Sequence, residues 1–215
     1  MRRTGLAFGL FIALSFPALA QEIIGSANLQ GKDAVIYSDG TWRFAAEGEP
    51  VCHRVEPLLS VCVEPDIWSV APLRDDRPVD LAFRHGTLFD AKISVWKTAN
   101  RFDEMSERER AKALFFGIAA RMTPEEFERS LQEQLRDKKG LLPTVAGRFD
   151  VQISLKPATT VVFSGSPFGT RAISFRFADD FSIVVDTMES STLFTGEHKD
   201  LHARLLAGIT LGTEL

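Results

Sequence analysis

Between residues 106 and 140 the chain carries two helix starts in close succession, and the segments on both sides read as strands. Ser106 with Glu109 three residues later forms a capping box, in which the hydroxyl and the carboxylate satisfy backbone N–H groups at the helix start. Ala111, Leu114, Phe115, Ile118, Ala119 and Met122 follow at helical spacing and are expected to form the buried stripe. Thr123-Pro124-Glu125-Glu126 is a second start, with Thr as N-cap, Pro in the first turn and Glu at the third position. Phe127, Leu131 and Leu135 make its stripe, and Lys138, Lys139 and Gly140 are expected to close it. A helix pair placed between strand runs must cover a sheet, because neither partner can hide its apolar face alone.

The strand runs are short and hairpin-linked. Val79 to Arg84 and Leu88 to Thr98 are joined by His85-Gly86-Thr87. In the second run Ala91, Ile93, Val95 and Lys97 share a face, with Asp90, Lys92, Ser94 and Trp96 on the other. After the helices Phe149, Val151, Ile153 and Leu155 alternate, and Thr160 to Phe163 is an apolar run. Ser164 to Gly169 is a turn, and Ile173, Phe175 and Phe177 alternate against Ser174 and Arg176. Ala178-Asp179-Asp180 leads into Phe181 to Asp186, and a last helix is expected over Glu197 to Ala207, ended by Gly208. The implied class is α+β, a mainly antiparallel β-sheet with flanking helices. In element order and length the stretch from Trp68 to Leu211 resembles the PsbP/Mog1-like α/β/α sandwich. That resemblance implies a scaffold for protein interaction or assembly.

The N-terminal part reads as three further segments. Arg2 and Arg3, the apolar run Leu6 to Phe16, Pro17 and Ala18-Leu19-Ala20 have the form of a cleaved signal peptide over residues 1–20, with Gln21 as the new N-terminus. The apolar run is shorter than the ~20 residues a membrane span needs. Residues 21–48 hold a β-hairpin: Ala34-Val35-Ile36-Tyr37, a turn at Ser38-Asp39-Gly40, then Thr41-Trp42-Arg43-Phe44 with Trp42 and Phe44 on one face. Val35 to Trp42 resembles the DGTW hairpin found near the ends of many uncharacterised exported bacterial proteins, a likeness that names a structural element and no activity. Ala45 to Pro50 is a small, acidic linker. Residues 49–65 carry the two cysteines, Cys52 and Cys62, and 66–215 form the α+β domain. In an exported chain an even pair ten positions apart is expected to form one disulfide, worth roughly 3 kcal/mol or less. The alternatives are a redox pair, which usually has C-x-x-C spacing, and a metal knuckle, which lacks its ligand count with only His53 nearby.

Charge narrows the partners. The formal charge is −4 with Arg2 and Arg3 counted, which argues against nucleic acid and against an anionic membrane surface. The chain has 17 Phe and one Tyr, so its rings are expected in the core rather than on a stacking platform. His198 and His202 are the candidate metal ligands, since i and i+4 place both imidazoles on one helix face. Lys199 stands where a zinc protease motif carries its general base, and no third ligand is assignable, so no cofactor is expected. The same helix face carries Leu201, Leu205 and Ile209, which makes the pair structural histidines where helix meets sheet. Ser166 lacks the G-x-S-x-G elbow, and Asp75/Asp76 and Asp179/Asp180 are loop carboxylates whose adjacency does not create acid–base geometry. Arg84, Lys92, Arg171 and Arg176 lie in strands, and Arg176 is the candidate for presenting a positive charge to an anion. With no complete catalytic set, the balance leans against an enzyme. The expectation is an exported accessory or binding protein of the cell envelope, periplasmic or secreted, taking a protein partner or a small apolar ligand. The alternative is a hydrolase or metal-dependent enzyme using His198 and His202.

Overall fold

The computed structural model describes residues 23–29, 32–37, 40–44, 49–55, 58–73, 79–97, 105–165, 169–178, 181–191 and 194–211. The expected signal peptide over 1–20, most of the linker after Phe44, Asp75/Asp76, Ser166 and Asp179/Asp180 lie outside them. The chain opens with β1 (Ile23–Leu29), β2 (Lys32–Tyr37) and β3 (Trp42–Phe44), then β4 (Val51–Val55), β5 (Leu59–Val63) and β6 (Ser69–Val70). Next come β7 (Leu81–His85), β8 (Phe89–Trp96), α1 (Glu107–Ala119) and α2 (Pro124–Gln134). It continues with β9 (Thr144–Ile153), β10 (Lys156–Gly165), β11 (Gly169–Arg176), β12 (Ser182–Glu189), α3 (Gly196–Ala207) and β13 (Ile209–Leu211).

A seven-stranded antiparallel sheet in the order β6-β7-β8-β12-β11-β10-β9 forms the middle layer. The helix pair α1–α2 carries the chain from β8 to the far edge at β9. The meander β9–β12 then returns until Val185 lies opposite Ile93. Because side chains alternate, the register divides the sheet into two cores. On one face Phe116, Ala119, Phe127 and Leu131 pack on Val161, Phe163, Ile173, Phe175 and Val184. There the Phe127 ring meets both Phe175 and Phe177 edge-on with centroids 4.7 Å apart. On the other face α3 and a small sheet cover Ala91, Ile93, Val95, Ile183 and Val185 with Leu201, Leu205, Val61 and Ile209. The α+β, mainly antiparallel class with flanking helices and an N-terminal hairpin is therefore the observed one.

The small sheet has the order β13-β5-β4. Cys52 and Cys62 stand directly opposite each other in it and are bonded. Gly208, the C-cap of α3, passes so close to β5 that a Cβ there would lie 2.1 Å from the Cys62 carbonyl oxygen. The closeness lets the Cys62 N–H donate to Gly208 O at 2.9 Å. The N-terminal hairpin gains a strand that sequence reading missed, giving β1-β2-β3, and β1 lies alongside β4.

Both capping boxes form as expected, but the buried face of α1 is different. Leu114 and Ile118 are 62% and 50% exposed, while Lys112, Phe116 and Ala119 are buried. An ionic contact fixes the rotation of the helix. Lys112 Nζ donates to Asp80 at 2.7 and 2.8 Å, and Asp80 also accepts the Val95 N–H at 2.9 Å. The helix must turn Lys112 inward to neutralise that carboxylate, which is nearly buried. α2 stops at Gln134, before Lys138, because the Asp137 carboxylate captures the N–H groups of Lys139 and Leu141 in a turn that needs Gly140 at φ +82°. Leu155 is not a strand residue. Ser154 and Leu155 adopt φ +50° and +64° at the tip of the β9–β10 hairpin, leaving Leu155 88% exposed.

Candidate functional site

Thr195 caps α3, taking the His198 N–H at 3.0 Å. From there the helical period sets His198 and His202 one turn apart on the face that carries Leu201 and Leu205, and that face rests on the sheet. The sheet meets them with hydroxyls. Thr187 of β12, Ser174 of β11 and Thr160 of β10 all point toward α3, on the face opposite Val184, Ile173 and Val161. Thr187 Oγ1 lies 3.1 Å from His198 Nε2 and 2.7 Å from His202 Nδ1. His202 Nε2 lies 2.6 Å from Ser174 Oγ, which is 2.6 Å from Thr160 Oγ1. All five side chains are buried, with His198, Thr187 and Ser174 fully so. The histidines thus lie deeper than a half-buried position at a helix–sheet junction.

Burial pushes both imidazoles down to about 4; the neighbouring His198 adds to the effect at His202, and the Asp186 carboxylate opposes it at both. Both rings are neutral at pH 7. His198 Nδ1 lies 3.3 Å from Glu189 Oε2 but off the hydrogen-bonding line, so the contact is that of a neutral ring beside a carboxylate. Thr187 donates its single proton to the Ala172 carbonyl oxygen at 3.3 Å and accepts from His198 Nε2–H. The remaining directions follow in series. His202 Nδ1–H donates to Thr187, Ser174 donates to His202 Nε2, and Thr160 donates to Ser174. The carboxylate–imidazole–hydroxyl order Glu189–His198–Thr187 is that of a nucleophilic triad. Its hydroxyl, however, is fully enclosed and already bonded to His202, so a substrate cannot reach it. Among the described residues no group of three or more His, Cys, Asp or Glu side chains is placed to hold a metal ion.

Among the described residues, the surface cavities include two that carry charged side chains. One of about 210 Å³ adjoins the network at the start of α3 and is lined by His85, Phe89, Glu189, Glu197, His198 and Leu201. His85 is oriented there by its Nδ1, which donates to Ile67 O at 2.8 Å, and its Nε2 lies 3.7 Å from Glu197. The other, of about 350 Å³, lies between the start of α2 and β9–β10, with Glu128, Arg148, Asp150 and Val161 in its walls. Three of the four strand cations named above are engaged. Arg84 pairs with Asp90 and Arg171 with Asp186. Arg176 donates to Phe181 O and lies over the Phe181 ring at 4.3 Å, so it is not held out toward an anion. The outer strand β3 shows a different surface. Trp42 and Phe44 meet edge-to-face at 5.5 Å and are 55% and 47% exposed, while Arg43 turns the other way to Tyr37 and Glu49.

Sequence reading found the two histidines and their helical face but missed the hydroxyl row beneath them. Alternation against Ile173, Phe175 and Phe177 sets Ser174 on the polar side of its strand, and only the packing of α3 makes that side a buried one. No described helix is long and apolar enough to cross a membrane. No protein-family model matches the chain, and no curated protein is similar to it in sequence. In three dimensions the chain is similar to the cyanobacterial PsbP protein (CyanoP) of Synechocystis sp. PCC 6803, solved in solution, with a TM-score of 0.53 over 77% of this chain and 94% of that one. At 8% identity the likeness is one of fold, and the fold is PsbP-like.

Proposed function

We propose that this chain is an exported, non-catalytic accessory protein of the cell envelope that acts by contacting a protein partner through its N-terminal hairpin. The observation that carries the reading is a contrast in exposure. The residues best suited to chemistry, His198, His202, Thr187 and Ser174, have at most 5% of their surface exposed, whereas Trp42 and Phe44 stand paired and exposed on an outer strand. Large exposed rings on an outer strand suit docking by strand addition, in which backbone bonds supply affinity and ring pockets supply specificity. The form of residues 1–20 and the Cys52–Cys62 bond agree with an oxidising compartment.

Site-specific photocrosslinking in the native host tests this. A crosslinker in place of Trp42 is expected to give one discrete adduct with a cell-envelope protein, and one in place of exposed Arg121 to give none. Absence of that adduct overturns the docking reading. Hydrolytic turnover that disappears in His198→Ala, with the fold retained, would instead establish the enzyme alternative.

A further inference from the structure

β9 is an outer strand of the large sheet, ten residues long and bonded to β10 on one side. An open edge of this length offers a row of unpaired N–H and C=O groups, a template for another strand. The usual devices that blunt such an edge are only partly present. The register against β10 shifts at Val162/Phe163, which places a bulge at Ala146. From Gly147 to Ile153 the pairing is regular.

We propose that a second copy of this chain occupies the edge, the two β9 strands pairing antiparallel about a two-fold axis at Phe149. The sequence of the strand is self-complementary in that register. Arg148 falls opposite Asp150 of the partner subunit, and the reciprocal pair forms by symmetry. Arg148 and Asp150 share the face toward α2, where both line the 350 Å³ cavity. Arg148 is held in place there by Glu128, with Nη2 donating at 2.6 Å, so the cross-strand pair extends an ordered ion pair instead of ordering a free side chain. On the other face Phe149, 44% exposed, stands on the axis. Its ring folds back over Gly147, where an added Cβ would meet ring carbon at 3.0 Å. Gly147 thereby makes room for the ring at the position that faces Val151 of the partner subunit. Any register shifted by one residue places Arg148 against Phe149 or Val151 and loses both charge pairs.

Sedimentation velocity over a concentration series tests the proposal on the chain beginning at Gln21 with its disulfide intact. A reversible monomer–dimer equilibrium in the micromolar range is expected. Asp150→Arg sets two arginines opposite each other twice while leaving the Glu128–Arg148 pair in place, and it should weaken the dimer about tenfold or more. Phe149→Cys fixes the register independently, because cysteines at a two-fold axis join under mild oxidation, whereas Thr144→Cys should not. A monomer at all concentrations overturns the proposal. So does a dimer indifferent to Asp150→Arg, or one in which Phe149→Cys fails to cross-link.

Discussion

Replacing Thr187 by valine tests the buried network at its centre. The substitution keeps the shape of the side chain and removes one oxygen, so the cavity contribution is small. What is lost is a partner for two nitrogens, His198 Nε2 and His202 Nδ1, now 3.1 and 2.7 Å from that oxygen. Neither imidazole can turn to water, since His198 is fully buried and His202 is 5% exposed. An unsatisfied buried polar group is destabilising by ~1–3 kcal/mol, so Thr187→Val should lower stability by roughly 2–5 kcal/mol. For a domain of this size that is about 5–15 °C in Tm. Urea unfolding at pH 7.5 with the disulfide intact is the assay, and the midpoint should fall with the slope unchanged. Combining Thr187→Val with His202→Phe should be less than additive, because the second change removes one of the stranded nitrogens. A loss below ~0.5 kcal/mol, or strict additivity, would refute the claim that the hydroxyl joins the two rings.

The same network predicts an acid response. Both histidines have folded pKa values near 4 against the ordinary 6.5, so the unfolded chain binds their protons first. Stability is therefore complete above about pH 6.5 and is lost as the pH falls toward 4, by roughly 3 kcal/mol per ring if the two act independently; a flat urea midpoint across that window would contradict it. Gly208→Ala forces a methyl to within 2.1 Å of the Cys62 carbonyl oxygen and should lower stability by ~3 kcal/mol, with amide exchange accelerating first in β5 and β13. Lys112→Met leaves nearly buried Asp80 with only the more distant Arg108, 3.8 Å away, as a cation and should be destabilising by ~2–3 kcal/mol, and Asp80→Asn added to it should recover most of that loss in thermal melts.

Elements written in local chemistry were legible in the sequence. The capping boxes at Ser106 and Thr123 fix their helices from within four residues, and the alternation Ile173–Phe175–Phe177 identifies its strand and its core face. The last helix was read to within one residue of its start because Gly208 marks its end. What failed depended on partners distant in sequence. Leu114 and Ile118 look like a core stripe until Asp80, 32 positions before Lys112, claims that lysine. β13 has only Ile209–Leu211 to show, and nothing local reveals that it completes the cysteine hairpin. At the candidate site, the spacing of His198 and His202 was visible, but the hydroxyls that meet the rings come from three strands whose order is a property of the whole sheet.

The pairing of β13 with β5 has a consequence in time. The Cys52–Cys62 hairpin is an early segment, yet its outer partner strand and the Gly208 contact come from beyond α3. Closing that small sheet requires the meander and α3 to be in hand, which gives the fold a large share of contacts between residues far apart in sequence and slows its completion. A chain passing a pore from its N-terminal end would emerge with these first strands unable to finish their sheet. It would stay threadable until nearly all of it had crossed, while the disulfide forms earlier, on a hairpin still waiting for its last neighbour.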